Sequence, residues 1–321
     1  MKLDILIPKY NEDEGRISCL LDTIAYQQGI DFHKIRAIIC NDGGPSLSKE
    51  FLEKLPYSTI YEDKVHSGVS STRNRLLEMS DADYIMCCDA DDMFIDMRGL
   101  SYVFRAMNKD FDVFSSTFLE EGKDTSGRSK FVARKNDTHF VHGKVFKRQY
   151  LIDNNIRWKD EFEYSGDTYF LGLALRTNKS HVYCSTPFYM WKWNGDSICR
   201  RNKDHYAREF GMKLRVYGSL IDELLERDMV EDARNYSLFV VYDGYYITQT
   251  EQWEKLESEL KDEITKRFQD FYNKYRNLIE GASKKAILPV IKSAKFNQVI
   301  RGNIMEKITY DDWLHNHLLK E

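Results

Sequence analysis

Residues 84–94 read YIMCCDADDMF, a run of mostly apolar side chains that stops at three carboxylates within four positions, Asp89, Asp91 and Asp92. The first half reads as a buried strand, since Cys87 and Cys88 behave as small hydrophobes and no charge interrupts the run before Asp89. Three like charges at its end repel one another. Open water around a turn, a bound cation, or a substrate that needs an acid beside it would each relieve that repulsion.

Upstream, short apolar stretches alternate with helical patterns. LDILIP (3–8) precedes a helix around 17–28, KIRAIIC (34–40) a helix near 48–55, and STIYED (58–63) a helix near 69–79, before YIMCCD (84–89). This βαβαβαβ order predicts an α/β fold with a mostly parallel sheet flanked by helices, because each return to a parallel neighbour needs a crossover. Polar residues gather where these strands end: Tyr10 and Asn11, Asn41 and Asp42, His66 and Ser67, and Asp89 to Asp92. Open parallel sheets bind ligands outside the carboxyl ends of their strands, so one shared site is expected there.

Downstream, the pattern predicts a helix near 99–109, a strand at 112–118, and a strand or turn leading into a helix within 140–158. A helix at 167–178 and a strand region at 181–193 follow. After about residue 205 the chain is helical and highly charged. EQWEKLESELKDEITKRFQDFYNKYRNLIEG (251–281) is its clearest amphipathic stretch, with Gly281 as the stop. Within 282–307, Lys284, Lys285, Lys292, Lys295, Arg301 and Lys307 stand against Glu306 alone. That segment either touches an anionic surface or presents a solvated helix face.

The composition is that of an ordinary globular protein of 321 residues, 42% hydrophobic and 31% charged, and a net charge of -4 does not mark a nucleic-acid binder. The aromatic share of 13% suits thick cores, sugar stacking or both. Six cysteines without a CxxC pair suit a reducing compartment. After Met1 and Lys2 the first strand begins with no basic leader, and no apolar run reaches the roughly 18 residues that span a bilayer. The expectation is a cytoplasmic protein without a transmembrane segment, at most peripheral to a membrane.

The acidic cluster does not form an EF-hand: a loop starting at Asp89 would need glycine and an acid where Phe94 and Leu100 stand. A phosphatase with an aspartate nucleophile would close its first strand with the acids, whereas that strand ends in Pro8 and Tyr10. A cation bridging to a diphosphate fits better, since Mg2+ or Mn2+ takes one or two carboxylates and fills its shell with water and phosphate oxygen. A solvated acidic turn is the plain alternative for the motif taken alone.

DILIPKYNE, IICNDGGPS, HSGVSSTRN and YIMCCDADD, in this order, resemble the first half of family 2 glycosyltransferases of the GT-A fold. HGKVFKRQYLIDNNIRWKDEFEYSGDTYF resembles the family's lysine segment and following acidic motif, and WKWNGDSICR its later aromatic and basic stretch, so the likeness covers roughly 3–200. The resemblance implies a GT-A (Rossmann-like) domain over 1–205, with a nucleotide-sugar half at 1–95 and an acceptor and catalytic half at 96–205, before a helical region at 206–321. It implies an inverting transfer from a nucleotide sugar, a UDP-sugar being favoured, to a hydroxyl of a cell-surface glycan.

The residue roles follow from the same resemblance. Asp167 would be the base, and it could at the same time cap a helix beginning at Thr168. Asp91 would hold Mn2+ or Mg2+, with Asp89 sharing the ion or accepting from the ribose, and Asp92 capping the next segment. Pro8, Tyr10, Glu12, Asp42 and Arg73 would line the nucleoside, while Lys144, Trp191 and Lys192, with Arg200 and Trp193, would face the diphosphate or sugar. His142 and His205 are further metal or acceptor candidates. The family usually has glutamate where Gly166 stands, which leaves Asp167 as the sole acid of that motif. Rival expectations are transfer to modified bases of viral DNA and a binding protein that has lost its chemistry. A nucleotidyltransferase would need a basic, glycine-rich loop where KYNEDEGR (9–16) is acidic.

Overall fold

The computed structural model describes all residues except 125, 163, 164, 196, 198–204, 283, 302–307, 320 and 321, and omits the side chains of 205–209, 284–286, 296–301 and 317. The chain divides into two compact units, Met1–Gly195 and Asp196–Glu321.

In the first unit, β1 (Leu3–Lys9), α1 (Glu14–Ala25), β2 (Ile35–Asp42), α2 (Lys49–Glu53), β3 (Ser58–Lys64), α3 (Val69–Met79) and β4 (Tyr84–Cys87) alternate as the sequence predicts. These four strands are parallel, with Leu3 opposite both Ile35 and Tyr84. Helices cover both faces, so the strands read as continuous apolar runs. Ile5 and Ile7 are buried with Leu20, Leu21 and Ile24 of α1, each such side chain contributing about 1.5–3 kcal/mol. α1 starts at Asp13, whose carboxylate accepts from the Arg16 N–H.

The remaining elements are β5 (Met93–Phe94), α4 (Gly99–Met107), β6 (Val113–Lys123), β7 (Ser129–Arg134), β8 (Lys144–Lys147), α5 (Arg148–Asp153), α6 (Gly166–Thr177) and β9 (His181–Trp191). The sheet runs β3-β2-β1-β4-β8-β6-β9-β5, with β7 hydrogen-bonded to β6 as the ninth strand. It is mixed: β8 is antiparallel to both β4 and β6, and β9 is parallel to β6. No crossover helix separates β6, β7 and β8, so β7 and β8 each return antiparallel to β6. α6 begins at Gly166, after Ser165 in a left-handed conformation at φ 59°, so Asp167 lies inside its first turn and does not cap it.

The second unit holds α7 (His205–Glu226), α8 (Val230–Ile247), α9 (Glu251–Glu254), α10 (Ser258–Glu280), α11 (Lys284–Arg301) and α12 (Tyr310–His317). The amphipathic stretch expected at 251–281 is two helices, the short α9 capped at its start by the Thr250 hydroxyl and α10 beginning anew at Ser258. Gly281 caps α10 at φ -77°, without using its left-handed freedom. Tyr245, Phe268 and Trp313 pack at the centre, each pair of rings involving Trp313 being 5.6 Å apart. Of the basic segment, Lys292 and Lys295 are exposed on α11, while the side chains of Lys284, Lys285, Arg301 and Lys307 lie outside the described residues. Among the described residues no helix is long and apolar enough to cross a membrane.

Candidate active site

The turn after β4 separates the three acids. Asp92 N–H donates to Asp89 O at 3.1 Å, closing a turn in which the three acids differ in burial and partners. Asp92 is fully buried and caps nothing. It accepts from the Tyr189 hydroxyl at 2.6 Å and from Lys192 N–H at 2.9 Å, which ties the turn to β9. Burial, then Asp89 and Asp91, push its pKa well above the usual carboxylate range. Asp91 is half-buried, accepts from the Asn194 amide at 2.6 Å, and is likewise pushed up by burial and by Asp89. Asp89 faces outward with 30% of its side chain exposed. Burial opposes its ionisation, but Arg73 outweighs burial and holds it below the usual range.

Arg73 comes from α3 and is buried between two acids. Its Nη2 donates to Asp89 at 2.9 Å and its Nη1 to Asp167 at 2.7 Å. Burial opposes its charge, yet Asp167 and Asp89 raise its pKa. Trp158 Nε1 donates to Asp167 at 3.0 Å. The same helix holds the segment before α6: Ser70 donates to Phe162 O at 3.0 Å, and Asn74 exchanges hydrogen bonds with the Trp158 backbone at 2.8 and 3.0 Å. Gly166 sits against this contact, where an added Cβ would stand 2.7 Å from Ser70 Oγ.

At the neighbouring strand ends, Asp42 accepts from Ser67 N–H at 2.8 Å, from Gly68 N–H at 2.9 Å and from Lys64. Burial pushes its carboxyl up, but these donors prevail and its pKa is lowered. Tyr10 is exposed and its ring stacks on His66 at 4.6 Å. Gly44 lets the loop after β2 approach the turn after β1, because a Cβ there would meet the Tyr10 carbonyl oxygen at 1.2 Å. Glu12 accepts from Tyr10 N–H at 2.9 Å, and Pro8 is partly buried in β1.

The two lysines expected at the diphosphate differ in setting. Lys144 is buried, donates to Phe140 O at 2.6 Å, and has its pKa lowered by burial. Lys192 donates to Cys19 Sγ at 3.3 Å. Trp191 packs on Phe140 and His142 at 4.9 and 5.3 Å, and Trp193 is 38% exposed. The side chain of His205 and all of Arg200 lie outside the described residues. Burial lowers the pKa of His142 and so favours the neutral imidazole; its Nδ1 is buried without a hydrogen-bond partner, 3.6 Å from Asp92. Ligand atoms of Asp89, Asp92 and His142 lie within 4.8 Å of one another, a spacing able to hold a metal ion.

The profile of glycosyl transferase family 2 matches residues 4–192. The chain belongs to that family. This glycosyltransferase is 33% identical over 93 residues to the minor teichoic acid biosynthesis protein GgaB of Bacillus subtilis (strain 168), a match covering 28% of this chain. It spans only 10% of GgaB. Two solved structures of TarS 1-349 from S. aureus share its fold at 14% identity. The complex with UDP-GlcNAc has a TM-score of 0.66 over 93% of each chain, and the complex with UDP has 0.65 over 94% of this chain and 88% of that one.

Several residues that build this cluster carry no clear signal in the sequence. Asn74 adjoins Arg73 in the STRN motif and was readable in principle. Tyr189, Lys64 and Trp158 were not, because each reaches the site only through the packing of distant elements.

Proposed function

We propose that the chain transfers a sugar from a nucleotide sugar, preferably a UDP-sugar, to a hydroxyl of a cell-surface glycan, with inversion at the anomeric carbon. The convergence of Asp89 and Asp167 on the buried guanidinium of Arg73, beside Asp91, carries the proposal. GgaB is by name a teichoic acid protein, and TarS has been solved with UDP and UDP-GlcNAc, which supports this donor class and a wall-polymer acceptor.

The residues present fit a divalent cation, Mn2+ or Mg2+. Asp91 is pushed up by burial and by Asp89, so positive charge there would relieve it. By the resemblance, Asp91 and Asp89 would hold the ion together with the donor; the ligand atoms within 4.8 Å of one another are those of Asp89, Asp92 and His142, a group that leaves Asp91 out. A bound ion would supply positive charge to the departing diphosphate. Tyr10, with Pro8, Glu12 and Asp42, would line the nucleoside. Asp167 would take the proton of the acceptor hydroxyl as that oxygen attacks the anomeric carbon. The bond to the diphosphate oxygen would break with its electron pair, and the nucleoside diphosphate would leave from the opposite face.

A donor screen tests the proposal: UDP-, GDP- and dTDP-sugars with Mn2+, scored by melting temperature and nucleotide release. A UDP-sugar is expected to raise the melting temperature and to release UDP when acceptor is added. If no sugar nucleotide stabilises the protein in the presence of metal, the proposal is wrong.

A further inference from the structure

Asp167 and Asp89 share one guanidinium, and each uses a single oxygen to do so. Arg73 Nη1 donates to Oδ1 of Asp167 and Nη2 to Oδ1 of Asp89, while Trp158 Nε1 donates to the same Oδ1 of Asp167. Among the described residues no hydrogen bond reaches Oδ2 of either acid. Resting on the transfer reaction above, we propose that Arg73 and Trp158 are positioning residues that commit one oxygen of Asp167 and present Oδ2 to the acceptor hydroxyl. Arg73 does the same for Asp89 on the donor side.

Both donors are fixed in direction. Arg73 is 6% exposed, and one N–H of each of its terminal nitrogens is committed to a carboxylate. The Trp158 indole is 3% exposed and stacks on Phe170 of α6 at 3.8 Å with the rings 3° apart. Asn74 of α3 holds the Trp158 backbone from both sides, so the helix that supplies Arg73 also sets the height of the indole N–H. A carboxylate held by two donors on one oxygen cannot rotate freely, and the other oxygen keeps a constant direction. Transfer needs that constancy, because loss of about 1 Å in placement costs on the order of 100-fold in rate. A lysine at 73 has donors enough for both acids but lacks the planar fork that aims one N–H at each in a fixed direction.

Trp158→Phe keeps a six-membered ring for Phe170 to stack on and removes the N–H together with the rest of the five-membered ring, so the melting temperature is read alongside the rate. We expect its kcat to fall about tenfold while the donor KM stays within about twofold, because the donor side is untouched. Arg73→Lys should lower kcat further and raise the donor KM at least about threefold, since both acids lose a prong. Methylguanidinium at millimolar concentration should restore part of the kcat of Arg73→Ala and none of that of Trp158→Phe. A Trp158→Phe protein that melts like the parent and keeps its kcat within about twofold overturns the inference, as does an Arg73→Lys protein with unchanged kcat. If an Arg73 variant fails to fold, Trp158→Phe decides alone. Asp167→Asn in the same assay separates the two claims: transfer at the parental rate removes Asp167 as base, whereas loss of transfer with a normal Trp158→Phe removes only the positioning role.

Discussion

A carboxylate that accepts from two backbone N–H groups and a lysine ionises more readily folded than unfolded, and Asp42 is such a group despite its burial. Its folded pKa lies below the unfolded value of about 3.9, so its contribution is present above that pH and is lost as pH falls through the folded value. Asp42→Asn should therefore lower unfolding free energy by about 2 kcal/mol at neutral pH. The gap from the parent should close as pH falls below about 4, which denaturant melts across that range would show. A gap of equal size at both ends would mean that the charge of Asp42 is not what holds the loop at 64–68. Asp167→Asn belongs to the same scale. Loss of a general base costs about 100- to 10,000-fold, and sugar transfer should fall by that order while nucleotide binding, measured by titration calorimetry, is retained.

At the scale of elements, the loops after β1 and β2 are in direct contact only because residue 44 is glycine. Gly44→Ala should cost about 3 kcal/mol and weaken donor binding by displacing Tyr10, a joint loss that thermal melts and nucleotide titration would register. The helix expected at 69–79 is found at Val69–Met79, and α6 begins one residue before its expected start. Their periodicity and flanking residues are local properties, which is why they were legible. The antiparallel β8 and the β6–β7 hairpin were not, because strand order depends on partners far along the chain. The same holds inside the site: Asn74 and Trp158 are 84 positions apart, and Asp92 and Tyr189 are 97 apart. The acid cluster and Arg73 could be named from their motifs, but their mutual pairing could not.

At the scale of the whole molecule, every candidate contact to the donor whose side chain is described falls within Met1–Gly195, so ligand effects should be confined to that unit. UDP with Mn2+ at 100 times its dissociation constant should add about 2.7 kcal/mol to the stability of the binding unit. Hydrogen exchange followed by mass spectrometry should slow within residues 3–94 and 140–192 and remain unchanged in α8 and α10. Protection in those helices of the same size as in β1 would show that donor binding involves the second unit as well. Gly166 also couples two elements through a single hydroxyl. Any side chain at 166 would bring its Cβ to 2.7 Å from Ser70 Oγ, so that hydroxyl would have to turn away and release Phe162 O, and an acid placed there would be added at the expense of the hold that α3 keeps on the segment before α6.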